Sequence, residues 1–467
     1  MNLKLIFISL GLLLTELLTA QDQTTELSLK QVIEIARMES PDAQTARHSF
    51  RSAYWNYKYY RANYLPSLSL TSDPNLNRAI NKITMGDGSV KFVEQNLLNT
   101  DLTLNLSQNL SWTGGSFFLE TSAQRMDLFS EHKYSWQTSP IMIGYRQSLF
   151  GYNSLKWDRR IEPVRYQEAK KSYVETLELV SANAINKFFA LATAQSDYDI
   201  ASFNYANADT LYRYAQGRYN IGTITENEML QLELNRLTEE TNRMNALIEM
   251  DNCMQELRSY LGIHEDRELR VLVSPQIPDF SVNLNEALAL AYENSPDIQT
   301  MERRKLESES AVAKARANAG LKADIYLRFG LTQTADKLPE AYRNLLDQQY
   351  VSIGISLPIL DWGRGKGQVR VARSNRDLVY TQVEQSRTDF ELNVRKLVKQ
   401  FNLQTQRVRI AARTDETAQR RSEVARKLYL LGKSTILDLN ASISEKDSAR
   451  RNYISALYNY WSLYYTL

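Results

Sequence analysis

The chain is written twice, and any fold it adopts must be built from two copies of one plan. LKQVIEIA at residues 29–36, followed by Ser40-Pro41-Asp42-Ala43-Gln44-Thr45, recurs as LNEALALA at 284–291 with Ser295-Pro296-Asp297-Ile298-Gln299-Thr300, 255 residues later. Arg61-Ala62-Asn63 against Arg316-Ala317-Asn318 keeps that offset. Further on the copies match at an offset of 210: Ile143-Gly144 with Ile353-Gly354, Ala215 with Ala425, Tyr219 with Tyr429, Gly222 with Gly432. The first copy therefore carries 45 residues more than the second between its Asn63 and its Gly144. Repeats of this kind mark one supersecondary plan used again. The order reads as a first repeat over 21–262, a linker over 263–281 and a second repeat over 282–467.

Each copy reads helix, strand, strand, very long helix, turn, long helix. In residues 350–360, Val351, Ile353, Ile355, Leu357 and Ile359 alternate with Ser352, Gly354, Ser356 and Pro358. Period-two alternation places one set on each face of a strand. Ala323, Ile325, Leu327, Phe329 and Leu331 oppose Asp324, Tyr326, Arg328 and Gly330. Ile141, Ile143, Tyr145 and Leu149 oppose Met142, Gly144, Arg146 and Ser148, and Leu68 and Leu70 oppose Ser67, Ser69 and Thr71. Runs of about 9–11 residues match a tilted membrane-crossing β-strand. On that reading Ile353, Ile355 and Leu357 face lipid, while Arg146, Asp324, Arg328, Ser352 and Ser356 face a watery lumen. The 45 extra residues lie within 71–139, with a turn signal at Gly86-Asp87-Gly88 and alternating runs at 102–110 and 116–122. Their hydrophilic lead-in favours a surface loop over extra wall strands.

The remainder is helix. Leu177, Ala184, Leu191, Tyr198 and Tyr205 recur every seven residues, and Phe390, Val394, Leu397, Phe401 and Val408 follow a coiled-coil spacing in the second copy. Sixty such residues extend about 90 Å at 1.5 Å each, and each helix reverses at Gly222 or Gly432. Tyrosines and tryptophans gather where helices meet strands: Tyr54 to Tyr64, Tyr152, Trp157 and Trp362, and again at the C-terminus from Tyr458 to Tyr465. Amphipathic rings favour a bilayer interface, and helix packing uses them equally; Trp157 and Trp362 fit the interface best.

Residues 1–20 have Lys4, an apolar core over 5–14 and Thr19-Ala20 before Gln21, the form of a secretory signal peptide. No later run of 18 apolar residues occurs, so membrane crossing would require a barrel. A formal charge of +2 offers no basic footprint for nucleic acid, and the single Cys253 excludes an internal disulfide. His48, His132 and His264 stand apart from any ligand spacing. Gly363-Arg364-Gly365-Lys366-Gly367 lacks the compact βαβ unit of a nucleotide site. No catalytic constellation, cofactor or metal site is expected.

The signal peptide, the duplicated halves, the strand pairs and the helical hairpins together resemble the TolC-like outer-membrane factor family. The carrying residues include both Ser-Pro-Asp segments, Tyr64-Leu65-Pro66-Ser67-Leu68, Asp361-Trp362-Gly363-Arg364 and the Tyr-x-x-Gly turns ending at Gly222 and Gly432. The resemblance implies an α+β membrane protein: a long α-helical coiled-coil tunnel joined to a transmembrane β-barrel built from several protomers, with an internal two-fold repeat. It also implies a homotrimer with twelve strands in the outer membrane. Its helical end in the periplasm would dock on a periplasmic adaptor (membrane fusion) protein and an inner-membrane transporter of RND, ABC or MFS type. Tyr219, Gly222, Gly432 and Thr435 would be the docking tips. By the same resemblance Glu228 and Asp438 line a closed aperture and Tyr429 bonds to Glu228; Ser434 and Ala441 stand where the family often has a cation and a further acid. The plainer alternative for the two acids is solvated charge at helix starts. The competing function readings are a periplasmic adaptor-like coiled-coil protein without a channel of its own and a secreted hydrolase. One strand pair per half is too few for a barrel, for which about eight strands is the minimum, so either copies assemble or the barrel reading fails.

Overall fold

The structure, a computed structural model, describes residues 25–264, 268–431 and 433–467. The signal segment and Gly432 lie outside the described residues, as do 265–267 within the linker. The chain forms two compact units, each drawing on both sequence repeats. One takes in the chain up to Phe50, Lys171–Ser295 and Asp389–Leu467; the other takes in Arg51–Lys170 and Pro296–Thr388.

The duplication is visible element by element. Helix α1 (Leu29–Glu39) and its counterpart α5 (Leu284–Asn294) each have 11 residues. Helices α2 (Pro41–Ala62) and α6 (Pro296–Ala319) both begin at the proline of Ser-Pro-Asp, where a missing N–H costs nothing. The long helices α3 (Ser154–Asn220) and α7 (Arg364–Leu430) have 67 residues each. The return helices are α4 (Glu226–Leu261) and α8 (Ile436–Thr466). Among the described residues no helix is long and apolar enough to cross a membrane.

The first unit is a helical bundle closed by a small sheet. Strand β1 (Thr25–Ser28) pairs in parallel with β7 (Leu269–Leu272), a pairing that joins the start of the described chain to the linker. Ile185, Phe188, Leu191, Leu257, Leu261, Phe401 and Leu457 form the core with these strands, each large side chain contributing about 1.5–3 kcal/mol on burial. Tyr460 is fully buried and its hydroxyl donates to the Pro278 carbonyl at 2.6 Å. Its ring lies 5.5 Å from Phe401 and from Trp461. Tyr460 lies inside the helical unit and Trp461 packs half-buried against its core.

The second unit carries seven strands, six in one continuous path: β2 (Ser67–Ser72), β4 (Val90–Asn109), β5 (Ser116–Leu128), β6 (Lys133–Ser148), β8 (Lys322–Ala335) and β9 (Leu346–Ser356), with β3 (Asn75–Thr84) beside the far half of β4. All pairings in this sheet are antiparallel. The 45-residue excess is thus paired strand in place of loop. Its hydrophilic lead-in is β3, which together with Val90–Asn99 extends a hairpin past the Asp73-Pro74 break, and its two alternating runs are β4 and β5 inside the sheet. Composition misleads there, because a strand whose side chains meet water on both faces reads as a loop. Strand β9 ends at Ser356, so Leu357 lies one residue past the pairing, where Pro358 has no N–H to continue a ladder.

The hairpin turn at Met85–Ser89, with Gly88 at φ 82°, is the expected site of proteolysis. Replacing residues 75–97 by a two-residue turn should leave the β2–β4 register from Ser67↔Ser107 to Ser72↔Leu102 intact, read as an unchanged yield of the folded protein. Loss of the folded protein would show that the extension is needed to form the sheet.

Candidate functional site

Two places carry the residues singled out above, and each is built within one unit. In the sheet, cross-strand register decides which side chains share a face. Arg146 stands opposite Tyr326, Asp324 opposite Gly354, Arg328 opposite Tyr350 and Tyr326 opposite Ser352. Arg146, Asp324, Arg328, Ser352 and Ser356 therefore lie on one face. Ile353 pairs with Ile325 and Ile355 with Ala323 on the other. Strands β4 and β5 continue both faces: Leu104 and Leu106 lie beside Leu70 and Leu68 and beside Thr121 and Leu119, while Thr103, Asn105 and Ser107 share the polar face with Ser122, Glu120 and Phe118. The apolar face is open to its surroundings, with Ile353 62% and Ile143 53% exposed.

The polar face has internal structure. Arg328 Nη2 donates to Glu120 Oε1 at 3.1 Å, reaching from β8 across β6 to β5. The rings of Phe118 and Tyr326 lie 5.8 Å apart above Gly144, where a Cβ would come within 2.0 Å of Phe118. The Arg146 guanidinium sits 5.6 Å from the Tyr326 ring centre. Sequence reasoning places Arg146 and Arg328 on this face and misses Glu120 and Phe118. The alternation over 116–122 is the signal that holds them.

Helix and sheet join through short polar devices. The Asp361 carboxylate accepts from the N–H of Gly363 and of Gly365 at 2.9 and 2.8 Å, capping α7. Its carboxyl is held below the usual range by those two backbone donors. Gly363 takes φ 82° beside Trp362, itself at φ 53° and 90% exposed. Glycines at this position let the chain turn from strand exit to helix start. Trp157 is half-buried with Arg160 stacked at 4.9 Å. Tyr57 stacks flat on Tyr166 at 4.4 Å.

Over the described residues the two helix reversals share one capping arrangement. In the first, Gly222 at φ 75° donates to the Tyr219 carbonyl at 2.8 Å and Thr223 donates to Arg218 at 2.9 Å. Thr225 then caps α4: its Oγ1 accepts from the Glu228 N–H at 3.3 Å and Glu228 Oε2 accepts from the Thr225 N–H at 3.1 Å. In the second, Thr435 and Asp438 form the same reciprocal box on α8, with Thr435 Oγ1 2.7 Å and Ser434 Oγ 3.3 Å from Asp438 Oδ2. The Thr435 hydroxyl, then its N–H, holds the Asp438 carboxyl below the usual range. Both acids thus sit third in their helices and stabilise the helix start. The signal for this in the sequence is the Thr-x-x-acid spacing, present in both copies. Among the described residues no hydrogen bond joins Tyr429 to Glu228 within the chain.

Residues 287–464 match the family model described as outer membrane efflux protein. A curated relative, toxin and drug export protein A of Aggregatibacter actinomycetemcomitans, is 24% identical over 433 residues, covering 88% of this chain and 90% of the relative. Among solved structures, the CmeC outer membrane channel of Campylobacter jejuni superposes with a TM-score of 0.68 at 15% identity, over 94% of this chain and 84% of the other. The outer membrane protein VceC of Vibrio cholerae gives 0.64 at 15% identity, over 94% of each chain.

Proposed function

We propose that this chain, whose residues 287–464 match the outer membrane efflux protein family and whose fold is that of the solved outer-membrane channels, is one protomer of a trimeric export duct in the outer membrane. The duct passes cargo delivered by an inner-membrane pump through a periplasmic adaptor. The observation that carries this reading is the sheet's division into an exposed aliphatic face and a polar face across six hydrogen-bonded strands. A contiguous apolar face of this size is not left in water. In lipid the unpaired edges of β2 and β9 must find partners, since unsatisfied backbone groups are excluded from hydrocarbon. Pairing with further copies closes the wall and leaves the polar face around a lumen. An adaptor-like protein without a channel has no use for such a sheet.

The reversals form the periplasmic end. Tyr219, Gly222 and Thr435 offer the adaptor two equivalent turns, and Glu228, Asp438 and Tyr429 gate the mouth. Capping leaves one oxygen of each acid free, Oε1 of Glu228 and Oδ1 of Asp438, to meet Tyr429 or a cation as the tips close in the ring. Opening is then a two-state displacement of the tips.

Heat-modifiable trimers extracted from outer membrane, with ion conductance in planar bilayers, test the duct; a monomeric water-soluble species refutes it. Glu228→Gln and Asp438→Asn remove charge while keeping an acceptor for the cap. We expect Tyr429→Phe with Glu228→Gln to raise single-channel conductance and Asp438→Asn to weaken block by divalent cations. Wild-type conductance and block in both would remove the gate assignment and leave the duct.

A further inference from the structure

We propose that β4 and β5 are wall strands of the barrel, so that each protomer supplies six strands, and three copies close an eighteen-stranded ring in place of the twelve implied by resemblance. The inference rests on the duct reading and concerns what kind of wall the duct has. The occupant of each free sheet edge is a second copy of this chain, β2 of one against β9 of the next.

Three observations place β4 and β5 in the wall. They pair with each other without a gap from Asn109↔Ser116 to Leu97↔Leu128, β4 pairs with β2 and β5 with β6, the latter with one register shift between Glu120 and Ser122, and Leu102, Leu104 and Leu106 continue the aliphatic face. On the polar face, the Glu120–Arg328 ion pair and the Phe118–Tyr326 ring contact tie β5 to β8 over Gly144, a position with no side chain to separate them. The turn between β4 and β5 lies at the helix end of the sheet. Asn109 Nδ2 donates to the Asn63 carbonyl at 3.0 Å and Gln108 Nε2 to Tyr64 at 2.9 Å. Asn153 Nδ2 donates to the Ser111 carbonyl at 3.1 Å and Gln147 Nε2 to Thr113 at 2.9 Å. Asn63 and Tyr64 follow α2 on the way into β2, and Asn153 precedes α3. A hairpin standing above the membrane would have its inner turn far from these joints.

Barrel diameter grows roughly linearly with strand number, and rings of about 16–18 strands leave an aqueous channel. The consequence is an outer section half as wide again as a twelve-stranded one, lined in each copy by the paired Glu120 and Arg328 with Arg146 above Tyr326. Such a lumen admits bulky hydrated cargo and makes few selective contacts.

The test is residue-by-residue accessibility in outer-membrane vesicles. The variants Leu104→Cys, Leu119→Cys, Thr103→Cys and Ser122→Cys are made in a Cys253→Ser background. Ile353→Cys and Ser352→Cys on β9 serve as references, and each variant is checked for trimer migration. A charged maleimide should label Thr103→Cys, Ser122→Cys and Ser352→Cys from water and miss Leu104→Cys, Leu119→Cys and Ile353→Cys. Equal labelling of all four β4 and β5 cysteines, with Ile353→Cys still shielded, overturns the six-strand wall and leaves the duct. Labelling of Ile353→Cys as well overturns the duct reading and the wall with it. Counting strands in a density map of the purified particle gives a second readout: six per copy supports the proposal and four refutes it, whatever number of copies a native mass finds.

Discussion

Arginine at Ile353 should cost about 2–4 kcal/mol, the penalty for a guanidinium on the lipid face near the bilayer midplane, while arginine at Ser352 should cost far less. Ile353 is the middle of the apolar set Val351, Ile353 and Ile355 on β9 and pairs with Ile325. Ser352 pairs with Tyr326 on the polar face, where water can hydrate the new charge. Ile355 is the penultimate residue of its strand, so a charge there can reach the inner interface and the penalty falls. The measurement is the urea midpoint of refolding into vesicles, with the yield in the membrane fraction as the cellular counterpart. Equal midpoints for Ile353→Arg and Ser352→Arg would show that the strand faces are assigned wrongly or that the sheet does not meet lipid.

Gly330→Ala is expected to destabilise the sheet by about 3 kcal/mol, at the upper end of ordinary overpacking costs. Gly330 stands opposite Met142, next to the place where β6 slips register between Thr138 and Ile141. A Cβ there would lie 2.2 Å from the Ile141 carbonyl oxygen and 2.2 Å from Met142 Sδ. The sulfur can swing aside, but the carbonyl belongs to the backbone of the irregular step and cannot. Gly354→Ala is the control. It lies on the edge strand, where an added methyl would meet nothing within 4 Å, and should change stability by no more than about 0.5 kcal/mol. If the two alanines behave alike, the close approach of β6 and β8 at the slip is not what holds the sheet together there.

How much of this is legible varies with the range over which each feature is decided. The polar and apolar faces around Arg146, Arg328 and Ile353 are readable because the period of a strand is two and the register confirms the phase strand by strand. The 67-residue helices are readable because nothing in them breaks a helical period, Pro163 sitting within three turns of the start. The C-terminal tyrosines are not assignable from composition. A ring that packs against Phe401 and one that lies at a bilayer surface look the same in the sequence.

The sequence by itself determined the duplication, the order of the helices, the strand faces and the two helix reversals, because each is set by contacts within a few residues or by a repeat that copies them. Only the tertiary structure decided that β4 and β5 join the sheet, that Glu120 reaches Arg328 over Gly144, and that Glu228 and Asp438 spend one oxygen on their own helix starts. For strands, partner and register are long-range choices settled by neighbouring faces and anchored turns. An alternating run therefore states which way its side chains point and leaves unstated what it pairs with.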